Sequence, residues 1–112
     1  MRTAPLPYET LHQFTVDALL AVGVSRVDAV TTADVLATTD AWGVFTHGTK
    51  LLAGYLRRLK LGGLRPSGSP KIIAEGGAWA TVDGDAALGQ VASDFAMRTA
   101  LAKAGKQGVA YV

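Results

Sequence analysis

Cysteine is absent from the 112 residues, which removes disulfide frameworks and thiolate metal sites. No apolar stretch approaches the ~20 residues that cross a bilayer. The start, Met1-Arg2-Thr3-Ala4-Pro5-Leu6-Pro7, has no apolar run of the signal-peptide kind. A cytoplasmic protein with no membrane role is therefore expected. Metal-ligand patterns are missing as well: Asp83-Gly84-Asp85 offers two carboxylates without further oxygen ligands at regular spacing, short of a calcium loop. No metal is expected, and a turn leading to a helix N-cap is the natural reading. Gly84 and Gly89 have the wrong spacing for a dinucleotide fingerprint.

Acidic residues are missing from the middle of the chain. Residues 1–40 hold two basic and five acidic side chains, 41–74 hold six basic and none acidic, and 75–112 hold three basic and four acidic. The net charge of +2 is thus concentrated on Lys50, Arg57, Arg58, Lys60, Arg65 and Lys71. Such a block suits an anionic ligand or nucleic acid, and a solvated helix face is its common structural explanation.

Among the residues present, the pattern predicts three helices. The first runs from about Tyr8 to Ala21, with Leu11, Phe14, Ala18 and Leu19 recurring at helical steps and Gly23 as its stop. Ser25 with Asp28 forms a capping-box-like start for the second, which carries Val27, Val30, Val35 and Leu36 and ends near Gly43. The third runs from about His47 to Leu61, with Leu52, Tyr55, Leu56 and Leu59 on one face and Gly62-Gly63 as terminator.

Beyond the loop Arg65-Pro66-Ser67-Gly68-Ser69-Pro70, strands are predicted at 71–75 and 78–83 across Gly76-Gly77. A helix follows from about Ala87 to Ala104, with Val91, Phe95 and Leu101 in a narrow apolar stripe. The last segment, Val109-Ala110-Tyr111-Val112, reads as a strand buried on both faces, which needs covering layers and neighbouring strands. This is an α/β chain: a helical segment at 1–65, then the start of a β-β-α-β unit at 66–112 that is expected to continue beyond the chain.

The break Gly43-Val44-Phe45-Thr46-His47-Gly48 holds one of only two histidines. Thr46 is a good N-cap, which places His47 in the first turn of the third helix. That end of a helix attracts carboxylates and phosphates and disfavours imidazolium. Gly48 removes a side chain beside the ring, so a substrate or a neighbouring backbone can approach. His12 lies between apolar positions of the first helix and is read as structural. Arg57 and Arg58 are read as surface charges flanking a core tyrosine.

The stretch from Ala33 through Asp40-Ala41-Trp42-Gly43 to Thr46-His47-Gly48 resembles the N-terminal region of the malate/L-lactate dehydrogenase type 2 family, which includes ureidoglycolate, sulfolactate and diketogulonate oxidoreductases. The likeness continues through Tyr55-Leu56-Arg57-Arg58-Leu59, Gly63-Leu64-Arg65-Pro66, Glu75-Gly76, Asp83-Gly84-Asp85, Leu88-Gly89-Gln90-Val91 and Ala96-Met97. The resemblance implies an N-terminal portion of an oxidoreductase interconverting 2-hydroxy and 2-oxo acids such as malate or lactate. It further implies NAD or NADP as cofactor in a non-Rossmann fold, and a homodimer for the full-length protein. By the same resemblance His47 is proton donor or substrate contact, with Thr46 as its hydroxyl partner. Some members use a second histidine located just after the strand matching Gly108–Val112, beyond this chain.

Two departures from the family pattern stand out. Thr46 replaces the commoner serine and keeps the hydroxyl. Leu51 occupies the place of the substrate-binding arginine, leaving Lys50 and Gly48 as substrate-side candidates and the nicotinamide-binding residues unassigned. Two other readings compete: a basic nucleic-acid-binding module with 47–61 as recognition helix, and a noncatalytic assembly fragment. The helix faces spent on packing weigh against the first, so small-molecule chemistry without nucleic acid is preferred.

Overall fold

The computed structural model describes residues 4–112, and Met1–Thr3 lie outside the described residues. Helix α1 spans Tyr8–Ala21, as its periodicity predicts. Helix α2 spans Arg26–Ala41, and the Ser25 hydroxyl accepts from the Asp28 amide at 3.2 Å, the cap expected there. A 3-10 turn at Thr49–Leu51 leads into α3, Leu52–Leu61, closed by Gly62.

Strands β1 (Lys71–Glu75) and β2 (Ala80–Asp83) form an antiparallel pair with an irregularity between Ile72 and Ala74. Helix α4, Gly89–Gln107, completes the elements. The architecture is the expected one: three N-terminal helices, then the beginning of a mixed sheet with a packed helix.

The core lies among the helices. Val16 and Leu19 of α1, Val24 of the connecting turn, Ala29 and Ala33 of α2, and Leu52 and Leu59 of α3 pack as one buried cluster. The small alanines let α2 approach α1 closely. Leu88, just ahead of α4, inserts into the same cluster and ties the second half of the chain to the first. His12 bridges the same two helices from the side, its Nε2 2.6 Å from Asp34 Oδ1 and its ring stacked on Tyr8. Its role is structural, as the sequence suggested.

Several expected core positions are exposed. Phe14 of α1, Val27 and Val35 of α2, and Leu101 of α4 face outward. In α1 the inward face is centred on Thr15, Val16 and Leu19, with Thr15 satisfying its hydroxyl on the Leu11 carbonyl at 2.9 Å. Helix α4 buries no residue fully and contacts α2 and β2 along one side. It also begins and ends later than expected.

The second strand is shorter than predicted because the turn takes four residues, with the Gly76 amide donating to the Trp79 carbonyl at 2.9 Å. Of the final strand only Tyr111 pairs, in a parallel bridge to Trp79. Val109 and Tyr111 are 70% and 82% exposed, not buried on two faces. With Ile73, Trp79, Met97 and Leu101 also open, the second half carries apolar surface that nothing among the described residues covers. The radius of gyration, 15.8 Å, exceeds the roughly 13 Å of a compact domain this long.

Asp83-Gly84-Asp85 makes a turn but no helix cap. Asp83 accepts from the Asp85 amide at 2.9 Å, while α4 starts on Leu88 without side-chain capping. Asp85 instead holds the long loop: its carboxylate accepts from the Ser69 amide at 2.9 Å and pairs with Arg65. The Ser69 amide chiefly, with Arg65 and Lys71, lowers the Asp85 pKa below its ordinary value of 3.8.

A depressed carboxylate pKa contributes stability that is present above the unfolded value and lost as pH falls through the folded one. D85N is therefore expected to lower stability at neutral pH and to flatten the acid limb of the pH–stability curve below about pH 4. Urea midpoints between pH 3 and pH 6 (about the window of carboxylate titration) check this.

Candidate functional site

Helix α2 ends where Gly43 takes a left-handed φ of 80° and its amide donates to the Asp40 carbonyl at 2.9 Å. Two further bonds fold the segment after it. The Val44 amide donates to the Thr39 carbonyl at 3.1 Å, and the His47 amide to the Val44 carbonyl at 3.0 Å. Trp42, Val44, Phe45, Thr46 and His47 are all exposed. The histidine thus stands on a short solvent-facing break between two helices.

Thr46 is not a helix cap. The helical segment starts three residues later, at Thr49, and His47 lies outside its first turn. The reason is a competitor remote in sequence: Asp40 Oδ2 accepts both the Thr49 amide, at 3.0 Å, and the Thr49 hydroxyl. A carboxylate supplied from α2 caps the turn that Thr46 was expected to cap. Thr46 is left to pair with His47, its Oγ1 2.8 Å from Nδ1.

That pair suits proton handling. A hydroxyl can accept from Nδ1–H or donate to a bare Nδ1, so the ring can gain or lose a proton at Nε2 without turning. Nε2 makes no hydrogen bond among the described residues.

Gly48 is buried, and the space beside it is filled from within the chain. A Cβ added there would lie 1.8 Å from Asp40 Oδ1 and 2.4 Å from Asp40 Cγ. The glycine admits the Asp40 carboxylate instead of a substrate. G48A is expected to cost about 1–3 kcal/mol, because the methyl group must displace a carboxylate held by two hydrogen bonds. Urea unfolding measures the loss.

Lys50 is exposed in the 3-10 turn and lines a cleft of about 730 Å³ with Leu6, Tyr8, Leu11, Phe45 and Asp40. Thr46 and His47 do not line it. Leu51 is half-buried, and in a 3-10 turn successive side chains diverge by about 120°, wider than the α-helical spacing expected. Arg57 and Arg58 are exposed on α3, as surface charges should be.

Among the described residues, no group of three histidine or carboxylate side chains could hold a metal ion. No helix of the structure is long and apolar enough to cross a membrane. Asp40 is the residue that sequence reasoning missed, although it stands inside the quoted motif.

The profile of the malate/L-lactate dehydrogenase family matches residues 6–112. The chain is 39% identical over 104 residues to the L-sulfolactate dehydrogenase of Methanocaldococcus jannaschii, covering 93% of this chain and 30% of that protein. It is 36% identical over 107 residues to the malate dehydrogenase of Pyrococcus abyssi, covering 96% of this chain and 30% of that protein.

The solved malate dehydrogenase of Pyrococcus horikoshii OT3 superposes with a TM-score of 0.91 at 35% identity, over 94% of this chain and 30% of that one. The chain therefore spans about 30% of the length of these relatives. Agreement in sequence and in backbone along nearly all of its residues places the chain in the malate/L-lactate dehydrogenase family.

Proposed function

We propose that this chain is the N-terminal portion of an NAD(P)-dependent oxidoreductase acting on a 2-hydroxy acid/2-oxo acid pair such as malate or lactate. The observation that carries the reading is the exposed His47 imidazole, with Nδ1 on the Thr46 hydroxyl and Nε2 without a hydrogen-bond partner among the described residues. Its chemistry fits the half of the reaction that needs a proton. Reduction of a 2-oxo acid builds negative charge on the carbonyl oxygen, and a donor there lowers the barrier.

His47 Nε2 delivers that proton during reduction and takes it from the hydroxyl during oxidation, while Thr46 holds the ring. Lys50 is the nearby cation in sequence for the substrate carboxylate. With Leu51 in the arginine position, recognition is by a point charge instead of a bidentate fork.

A nicotinamide cofactor supplies the hydride in such a reaction. The turn at Asp83–Asp85 that precedes α4 does not fit it, because that turn is filled by the Arg65 pair and the Ser69 amide on Asp85. Cofactor residues are assigned to other parts of the polypeptide, in keeping with relatives about three times as long, and His47 is one side of a composite site. The full-length protein is read as a homodimer acting in the cytoplasm.

The test is to incubate the full-length protein with NAD or NADP and a panel of malate, lactate, sulfolactate and ureidoglycolate, following reduced nicotinamide. Turnover with at least one is expected, and none with any member of the panel overturns the reading. A nucleic-acid module has lost its element, because the segment 47–61 is not one helix but a turn, a 3-10 segment and ten α-helical residues.

A further inference from the structure

We infer that Asp40 is the positioning residue of the histidine break, fixing through Gly48 and Thr49 the direction in which His47 presents its ring. This rests on the proposed role of His47. The break has little packing to hold it, since every residue from Ala41 to His47 is exposed. Its order must come from polar ties.

On the α2 side those ties are backbone bonds to the Thr39 and Asp40 carbonyls. On the far side of His47 the tie is the Asp40 carboxylate. One oxygen accepts the Thr49 amide at 3.0 Å and the Thr49 hydroxyl. The other lies against Gly48, where a Cβ would come within 1.8 Å of it. A single side chain from the last turn of α2 therefore clamps the two residues that follow His47.

The geometry explains why three residue types occur together. A carboxylate at 40 supplies an oxygen able to accept two bonds, a glycine at 48 gives it room, and threonine at 49 provides both donors. Asparagine retains one acceptor oxygen and can restore part of the clamp. Alanine restores none. Because a misplacement of about 1 Å in a catalytic group can lower a rate about 100-fold, the clamp should act on kcat more than on KM.

The test uses full-length protein in four forms: wild type, D40A, D40N and H47A. Turnover is measured on a 2-oxo acid with the reduced cofactor, and the histidine ring nitrogens are followed by NMR after histidine-selective 15N labelling. The His47 signals are identified by their absence from H47A. D40A is expected to lower kcat about 10–100-fold with KM within about threefold of wild type, to be partly rescued in D40N, and to shift or broaden the His47 signals. The His12 signals, which report the α1–α2 contact through Asp34, should stay in place.

T49A removes one donor without touching α2 and should give a smaller change of the same kind if D40A does not fold. Unchanged kcat and unchanged His47 signals in D40A, alongside loss of turnover in H47A, would overturn the positioning role. Altered His47 signals in D40A with full turnover in H47A would uphold the clamp and instead remove the catalytic reading of His47.

Discussion

L19A is expected to remove about 2–5 kcal/mol of stability. Leu19 is fully buried at the centre of the cluster that joins α1, α2 and α3, and truncation leaves a cavity lined by groups that cannot easily close over it. The cluster it belongs to includes the α2 alanines Ala29 and Ala33, which have no rotamers with which to fill space, besides Val16, Val24, Leu52, Leu59 and Leu88.

The loss rivals the whole margin of a typical domain, about 5–15 kcal/mol. The second half of the chain adds little to this margin, because α4 buries no residue fully and the sheet is a single antiparallel pair, with Tyr111 attached through one parallel bridge to Trp79. Chemical denaturation followed by far-ultraviolet dichroism checks the value. F14A, at an exposed position of the same helix, should fall within about 0.5 kcal/mol of wild type.

H47A in the full-length protein is expected to lower kcat for 2-oxo acid reduction about 100- to 10,000-fold, the range over which a positioned acid or base contributes. The substrate KM should change much less, because a proton donated to the developing alkoxide is an interaction of the transition state and not of bound substrate. The exposed break can lose the imidazole without a cavity, so stability should stay near wild type. Steady-state kinetics and an unfolding curve on the same preparation separate the two effects. T46V, which removes the partner of Nδ1 while keeping the shape, should show a smaller loss of kcat in the same direction.

Signals that act within a few residues are legible in the sequence. The limits of α1 follow from its apolar spacing and Gly23, and the Ser25 cap involves atoms three residues apart, a distance that sequence pattern resolves. The histidine break was legible as a break for the same reason. Its internal geometry was not, because the donor set at Thr49 is satisfied by a carboxylate nine residues upstream, and no local rule weighs Asp40 against Thr46.

Core faces are ambiguous in the sequence where an amphipathic helix offers two apolar edges. Phe14 and Thr15 are neighbours, and only the contact with α2 determines that the smaller one goes inside. The apolar run Val109–Val112 suggests a buried strand, yet only Tyr111 pairs and the segment stands exposed, because strand formation and burial depend on neighbouring layers that the described residues do not supply. For function, the order of motifs carries the family resemblance and the departure at Leu51, while the tie from Asp40 to Thr49 emerges only in the folded chain.

The central claim is that His47 moves the proton of a 2-hydroxy acid/2-oxo acid reaction, and chemical rescue tests it most directly. Reduction of a 2-oxo acid by the H47A full-length protein is measured over a series of imidazole concentrations beside wild type. The expected result is a strongly reduced rate that rises with imidazole and saturates, with the wild-type rate unaffected. A wild-type rate from H47A without imidazole would contradict the account.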